Sequence, residues 1–225
     1  MNPVSRRSAS ASVLVLLAAI LIFGVIAKNV VSGGPLGGLD RDVAAWFHAR
    51  TTSTGIHTML AITQLGGFGV VTTISILMGL FLLRTQRYDW LVQFLVIVPG
   101  GMLFTLLLKF IFRRARLVQD YPAVDTTGYS FPSGHTMAAT LLYGFLALFV
   151  ISHLENGYWR LLVLITASSL ILSVGFSRIY LGAHYLTDVL GALVAGLAWL
   201  IYFYYRGWGL AGSLRTLPPV RECNR

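Results

Sequence analysis

The sequence predicts an all-α polytopic membrane protein, a bundle of six transmembrane helices, and two observations carry that reading. Of its 225 residues 56% are hydrophobic and only 11% are charged, well outside the soluble range. The apolar residues also fall into runs near the ~20 residues that a helix needs to cross the hydrocarbon core, and short polar connections separate them. Such a chain leaves no room for a separate soluble domain, so residues 1–225 read as one membrane domain.

Each element follows from a local pattern. Arg6 and Arg7 precede an apolar run over residues 11–27 that has no small-x-small cleavage site, which reads as an uncleaved first span and not as a signal peptide. Gly33, Gly34, Pro35, Gly37 and Gly38 then mark a loop. Residues 39–51 carry apolar side chains at helical spacing between charges, the pattern of a short helix lying in the interface. The second span covers 55–83, where Gly66, Gly67 and Gly69 permit either close helix contact or a break. The third covers 91–112, and Pro99 beside Gly100 and Gly101 predicts a kink. The longest polar connection, 113–133, follows with three arginines and two aspartates. The last three spans cover 135–151, 160–176 and 184–205.

Six spans put both termini on one side of the membrane. That side holds nine of the seventeen basic residues, in the tails 1–10 and 207–225, at Arg206, in the hairpin 84–89 and at Arg160. The other side holds eight, but Lys109, Arg116 and Arg178 have a chemical reason to be there, which leaves five. The positive-inside rule then favours a cytoplasmic location for both tails. The net charge of +9 is scattered between apolar segments and accompanies no recognition motif, so nucleic acid is excluded as a partner. No two carboxylates have the spacing of a divalent-cation site, so neither a metal nor another cofactor is expected. The lone Cys223 cannot form an internal disulfide, and the sequence carries no signal of oligomeric state.

The unusual polar residues gather on the side opposite the tails. His184 and Asp188 are four residues apart, which stacks them on one face if the sixth helix already includes His184. The carboxylate would then hold one imidazole nitrogen and free the other as nucleophile or base. Alone, the pair could equally be a structural stitch between helices. In "SFPSGH", Pro132 and Ser133 suit a helix start and Gly134 lets a ligand approach the backbone. The unpaired amides behind them make an anion site. His135 is placed there to donate a proton, although these four residues alone also fit a helix cap with a bystander histidine. Lys109, Arg116 and Arg178 each fit headgroup snorkelling singly. As a set they fit a doubly charged anion.

Taken together, these residues resemble the type 2 phosphatidic acid phosphatase (PAP2) superfamily, whose motifs are K-x6-R-P, P-S-G-H and S-R-x5-H-x3-D. Here they stand as Lys109-FIFRRA-Arg116, Pro132-Ser133-Gly134-His135 and Ser177-Arg178-IYLGA-His184-YLT-Asp188. The second and third match at every fixed position, and Leu117 stands where the first has proline. The motifs lie within 109–188, while the six-helix pattern covers nearly the whole chain.

The resemblance implies a bacterial phosphatase of the cell (inner) membrane with its site where the third, fourth and sixth spans end, expected to face the periplasm or extracytoplasmic side. It implies metal-independent hydrolysis of a lipid phosphate monoester or diphosphate through a phosphohistidine. His184 is the implied nucleophile, Asp188 its orienting carboxylate and His135 the general acid and base. Lys109, Arg116, Arg178, Ser133 and the Gly134 amide are the implied phosphate ligands. Phosphatidylglycerophosphate, undecaprenyl diphosphate, phosphatidic acid and lipid A phosphates are all implied as possible substrates, with membrane lipids as the only other partners. A transporter or channel using the His, Asp and Lys groups as a relay would place them near the bilayer midplane, and here they fall at span ends. Arg113 and Arg114 fit either the site or headgroup contact. His48, His57 and His153 have no partner at comparable spacing and read as interfacial or loop residues. Tyr180 and Tyr185 flank the third motif and read as edge anchors or as a border to the lipid's path.

Overall fold

Glycine and proline decide where these helices break. The computed structural model describes residues 3–116 and 128–214, and its regular structure there is entirely helical. Helix α1 (Pro3–Ser32) ends at Gly33, whose φ of +65° an L side chain rarely adopts, and α2 (Pro35–His48) starts at once with proline in its first turn. The two axes bend by 79°, so the expected first span and interfacial helix form one continuous bent pair. Helix α2 turns Arg41, Asp42 and Trp46 outward and buries Asp40, and Arg50 just beyond its end is exposed.

The predicted second span is two helices, α3 (Ser53–Gln64) and α4 (Phe68–Arg84), broken at Gly66 and Gly67. Together they form one 32-residue crossing. Helix α5 (Tyr88–Phe112) runs through Pro99 as a single helix and stops at Arg113, which takes the left-handed conformation. The third helix therefore does not persist far enough to put Lys109, Arg113 and Arg116 on one face. Instead the turn leaves Arg113 exposed, while Arg114 and Arg116 become half-buried. Leu117 lies outside the described residues, as do 118–127 and Cys223.

Helix α6 (Gly134–Ile151) is the centre of the bundle. Its Met137, Leu141, Leu142 and Phe145 are fully enclosed, with α5, α7 (Gly157–Tyr180) and α8 (Leu186–Leu214) packed around it. Lipid tails are as apolar as leucine, so dispersion from close packing holds such helices together. Gly101, Gly144 and Gly196 provide that closeness, each with a neighbouring side-chain atom within 2.9 Å of where a Cβ would sit. Outward faces remain apolar, with Leu77, Leu103, Leu161 and Leu172 exposed for contact with lipid. Among the described residues, five helices or paired helices are long and apolar enough to cross a membrane, and the α1–α2 pair makes a sixth if it counts as one span. This is a multi-pass membrane protein.

Candidate active site

Helix α6 opens with Ser133 in extended conformation as its N-cap, Gly134 as its first residue and His135 as its second. Ser133 is fully buried, but its hydroxyl does not cap the helix; it pairs with Thr136 Oγ1 at 3.0 Å. The Ser133 amide is tied to the Asp188 carbonyl at 3.1 Å, which joins the second motif to the third. Behind His135 lies the α3–α4 break: a Cβ on Gly66 would stand 2.7 Å from the His135 carbonyl oxygen. Only glycine lets that break approach so closely.

The third motif is arranged differently from a single helical face. Helix α7 continues through Ser177 and Arg178 to Tyr180, a tight turn follows with Gly182 at φ +57°, and α8 begins only at Leu186. His184 therefore precedes the helix. Asp188 occupies the first turn and reaches back, accepting from the Tyr185 amide at 3.1 Å in half of a capping box. The same Oδ2 lies 3.2 Å from His184 Nδ1 and also accepts from the Ser130 hydroxyl. An ionised carboxylate can only accept, so Nδ1 carries the proton and Nε2 keeps its lone pair. The Arg178 carbonyl fixes the turn by accepting from the Ala183 and His184 amides at 3.0 and 3.2 Å.

The cations expected from the sequence converge here. His135 lies within electrostatic reach of Arg178, His184, Arg116 and Lys109, and Lys109 within reach of Arg116, Asp188 and Arg178. Lys109 Nζ donates to the Tyr129 carbonyl at 2.5 Å, and its Cε is 3.9 Å from a Cβ position on Gly134. Arg116 donates to the carbonyls of Gly128 and Ala183 at 3.1 and 3.3 Å. Arg178 is 4% exposed and donates to Thr63 on α3 at 3.0 Å. All eight expected site residues thus lie at one end of the bundle.

Other partners were not legible in the sequence. Arg114 donates to Asp188 Oδ1 at 2.6 Å and to Asp40 Oδ2 at 2.7 Å, and its guanidinium lies 4.0 Å over the Tyr185 ring. Asp40 also accepts from the amide and hydroxyl of Thr187. Burial opposes the Arg114 charge, but Asp188 and Asp40 more than offset it and hold the group above its ordinary pKa. Burial pushes the His184 imidazole down to about 4, against the hydrogen bond and charge of Asp188, and Arg178 and Lys109 add to the depression. Tyr180 accepts from the Thr52 amide at 3.3 Å, braced against the α2–α3 connection. His48, His57 and His153 are exposed, and His153 does have a partner, the Arg87 guanidinium at the opposite end of the bundle.

Residues 90–210 match the family model described as PAP2 superfamily. Phosphatidylglycerophosphatase B of Bacillus subtilis (strain 168) is 34% identical over 154 residues, which cover 67% of this chain and 73% of that protein. The crystal structure described as the first transmembrane PAP2 type phosphatidylglycerolphosphate phosphatase from Bacillus subtilis superposes with a TM-score of 0.75 at 25% identity. The match covers 90% of this chain and 98% of the other.

Proposed function

Because this chain belongs to the PAP2 superfamily, we propose that it hydrolyses phosphatidylglycerophosphate to phosphatidylglycerol and inorganic phosphate at the outer surface of the cytoplasmic membrane. At the family level its activity is that of a membrane lipid phosphatase. The name of its Bacillus subtilis relative supports this choice of lipid. The excess of basic residues on the side of the tails supports the outward-facing site.

The contact between His184 Nδ1 and Asp188 Oδ2, at 3.2 Å, carries the chemistry. It leaves Nε2 as the nucleophile, and burial keeps the ring unprotonated at neutral pH. Nε2 attacks phosphorus, a nitrogen–phosphorus bond forms, and the bond to the glycerol oxygen breaks. His135 gives its proton to that oxygen. The dianionic substrate, arriving beside His135, favours the protonated imidazole that this step needs. His135 then takes a proton from water, the hydroxide displaces the phosphorylated nitrogen, and phosphate leaves. Asp188 stabilises the imidazolium formed on His184. Lys109, Arg116, Arg178, the Ser133 hydroxyl and the Gly134 amide hold the phosphoryl oxygens through both steps.

The test is phosphate release by the purified protein in detergent or bilayers. Phosphatidylglycerophosphate is compared with undecaprenyl diphosphate, phosphatidic acid and a lipid A phosphate, using wild type, His135→Ala and His184→Ala. The highest kcat/KM should fall on phosphatidylglycerophosphate, and His184→Ala should abolish release while still inserting into membranes. A higher kcat/KM on another lipid overturns the substrate, and an active His184→Ala overturns the chemistry.

A further inference from the structure

Asp188 has two oxygens, and only one faces the histidine. Oδ2 meets His184, the Ser130 hydroxyl and the Tyr185 amide. Oδ1 is held by Arg114 at 2.6 Å. A carboxylate gripped on one oxygen can still swing its plane about the bond to Cβ, whereas grips on both oxygens fix the plane. The second grip is itself anchored. Arg114 Nη2 reaches Asp40 at 2.7 Å, while Nη1 also donates to the Thr187 hydroxyl at 2.8 Å. Asp40, 1% exposed, is bound again by the Thr187 amide at 2.9 Å.

We propose that Asp40 and Arg114 are positioning residues for the catalytic dyad, with Arg114 as a fork that clamps Asp188 to α2 and so sets the aim of His184. The inference rests on the reading of His184 as nucleophile. Its cost structure supports a purpose beyond adhesion. A carboxylate buried in a bilayer protein is expensive unless paired and hydrogen-bonded, and α2 has exposed faces on which an aspartate would cost little. Asp40 instead points inward to meet Arg114 and Thr187. It also lies outside residues 90–210, the stretch that matches the family model, so the α1–α2 pair contributes to the site from beyond that stretch. Arg114 differs from Arg116 in this role. Both its donor arms already meet carboxylates, which leaves the phosphate to Arg116 and its neighbours.

Asp40→Asn, Arg114→Lys and Arg114→Ala are compared with wild type by phosphate release, with thermal unfolding in detergent measured on each. Misaiming a reacting group by about 1 Å can cost on the order of 10²-fold, so kcat should fall by about that factor with KM unchanged. Lysine keeps the charge but cannot bridge two carboxylates, so Arg114→Lys should lose as much as Arg114→Ala. Because the two residues act as one unit, Asp40→Asn combined with Arg114→Ala should lose no more than Arg114→Ala alone. Full activity in Arg114→Lys overturns the clamp, and so does a rise in KM with kcat kept, which would make Arg114 a phosphate ligand. Loss of kcat only in parallel with a lowered unfolding temperature assigns the network to folding and also overturns it. An active His184→Ala, by contrast, would sink the nucleophile assignment and not the clamp alone.

Discussion

Gly66 offers a test of how tightly His135, the proposed acid and base, is held. A Cβ added there would stand 2.7 Å from the His135 carbonyl oxygen and 2.6 Å from Val174 Cγ1, against the 3.4–4 Å of ordinary contact. The valine methyl can give way, but the carbonyl belongs to the first turn of the central helix and cannot rotate aside. To restore contact, α6 and the α3–α4 break must part by about 0.7 Å. A misplacement of ~1 Å near the reacting atoms can cost ~10²-fold, so Gly66→Ala should lower kcat by roughly 10-fold. Overpacking of this kind also costs about 1–3 kcal/mol of stability. Gly69→Ala is the matched control, since nothing lies within 4 Å of a Cβ there. Phosphate release and thermal unfolding in detergent, measured on both variants, read the outcome. Wild-type kcat in Gly66→Ala would refute the claim that the glycine break fixes His135.

Two further outcomes follow from charge. The His184 pKa, pushed down to about 4 by burial, means that the ring protonates only as pH falls toward that value. The unfolded chain takes up this proton near 6.5, so stability rises with pH between the two values and is lost as pH falls through that window. Spectra of 15N-histidine-labelled protein, assigned against His184→Ala, should show the ring neutral down to pH 5, and a midpoint near 6.5 would contradict its burial. Excess chelator should leave the rate unchanged, because lysine and arginine supply every positive charge assigned to phosphate. A clear loss of activity would count against that assignment.

The sequence made local facts legible and left distant pairings hidden. Apolar runs announced the spans, and the glycines at 66 and 67 left a break or a close helix contact open, of which the structure shows the break between α3 and α4. Lys109, Arg116, Ser133, Gly134, His135, Arg178, His184 and Asp188 could be nominated because each sits in a short motif. The helix boundaries around them could not. The 184–188 spacing is the same whether His184 lies in the helix or before it, and only the Tyr185 amide bonding to Asp188 distinguishes the two. Arg114 is 74 residues from both of its carboxylates, and Asp40 is 147 from Thr187. On an amphipathic interfacial segment, a single aspartate looks like any other headgroup-facing charge. Its inward aim depends on the 79° bend between α1 and α2, a tertiary property that no local pattern encodes.

The division of labour between rigid and irregular segments explains why the two histidines are mounted as they are. His135 stands in the first turn of the most enclosed helix of the bundle, whose packing fixes its backbone. His184 has no helix beneath it, and a turn of this length would let an imidazole wander if only its own backbone held it. Its restraint comes from two amides bonding to the Arg178 carbonyl, from Asp188, and through Asp188 from Arg114 and Asp40. In the proposed reaction His184 must keep its aim while it reaches phosphorus and carries it until water arrives on the side the alcohol left. On a turn, that restraint comes from hydrogen bonds and not from a helix beneath the residue. The hydrogen-bond chain behind His184, more than the helix that follows it, is therefore the sensitive part of the proposed site.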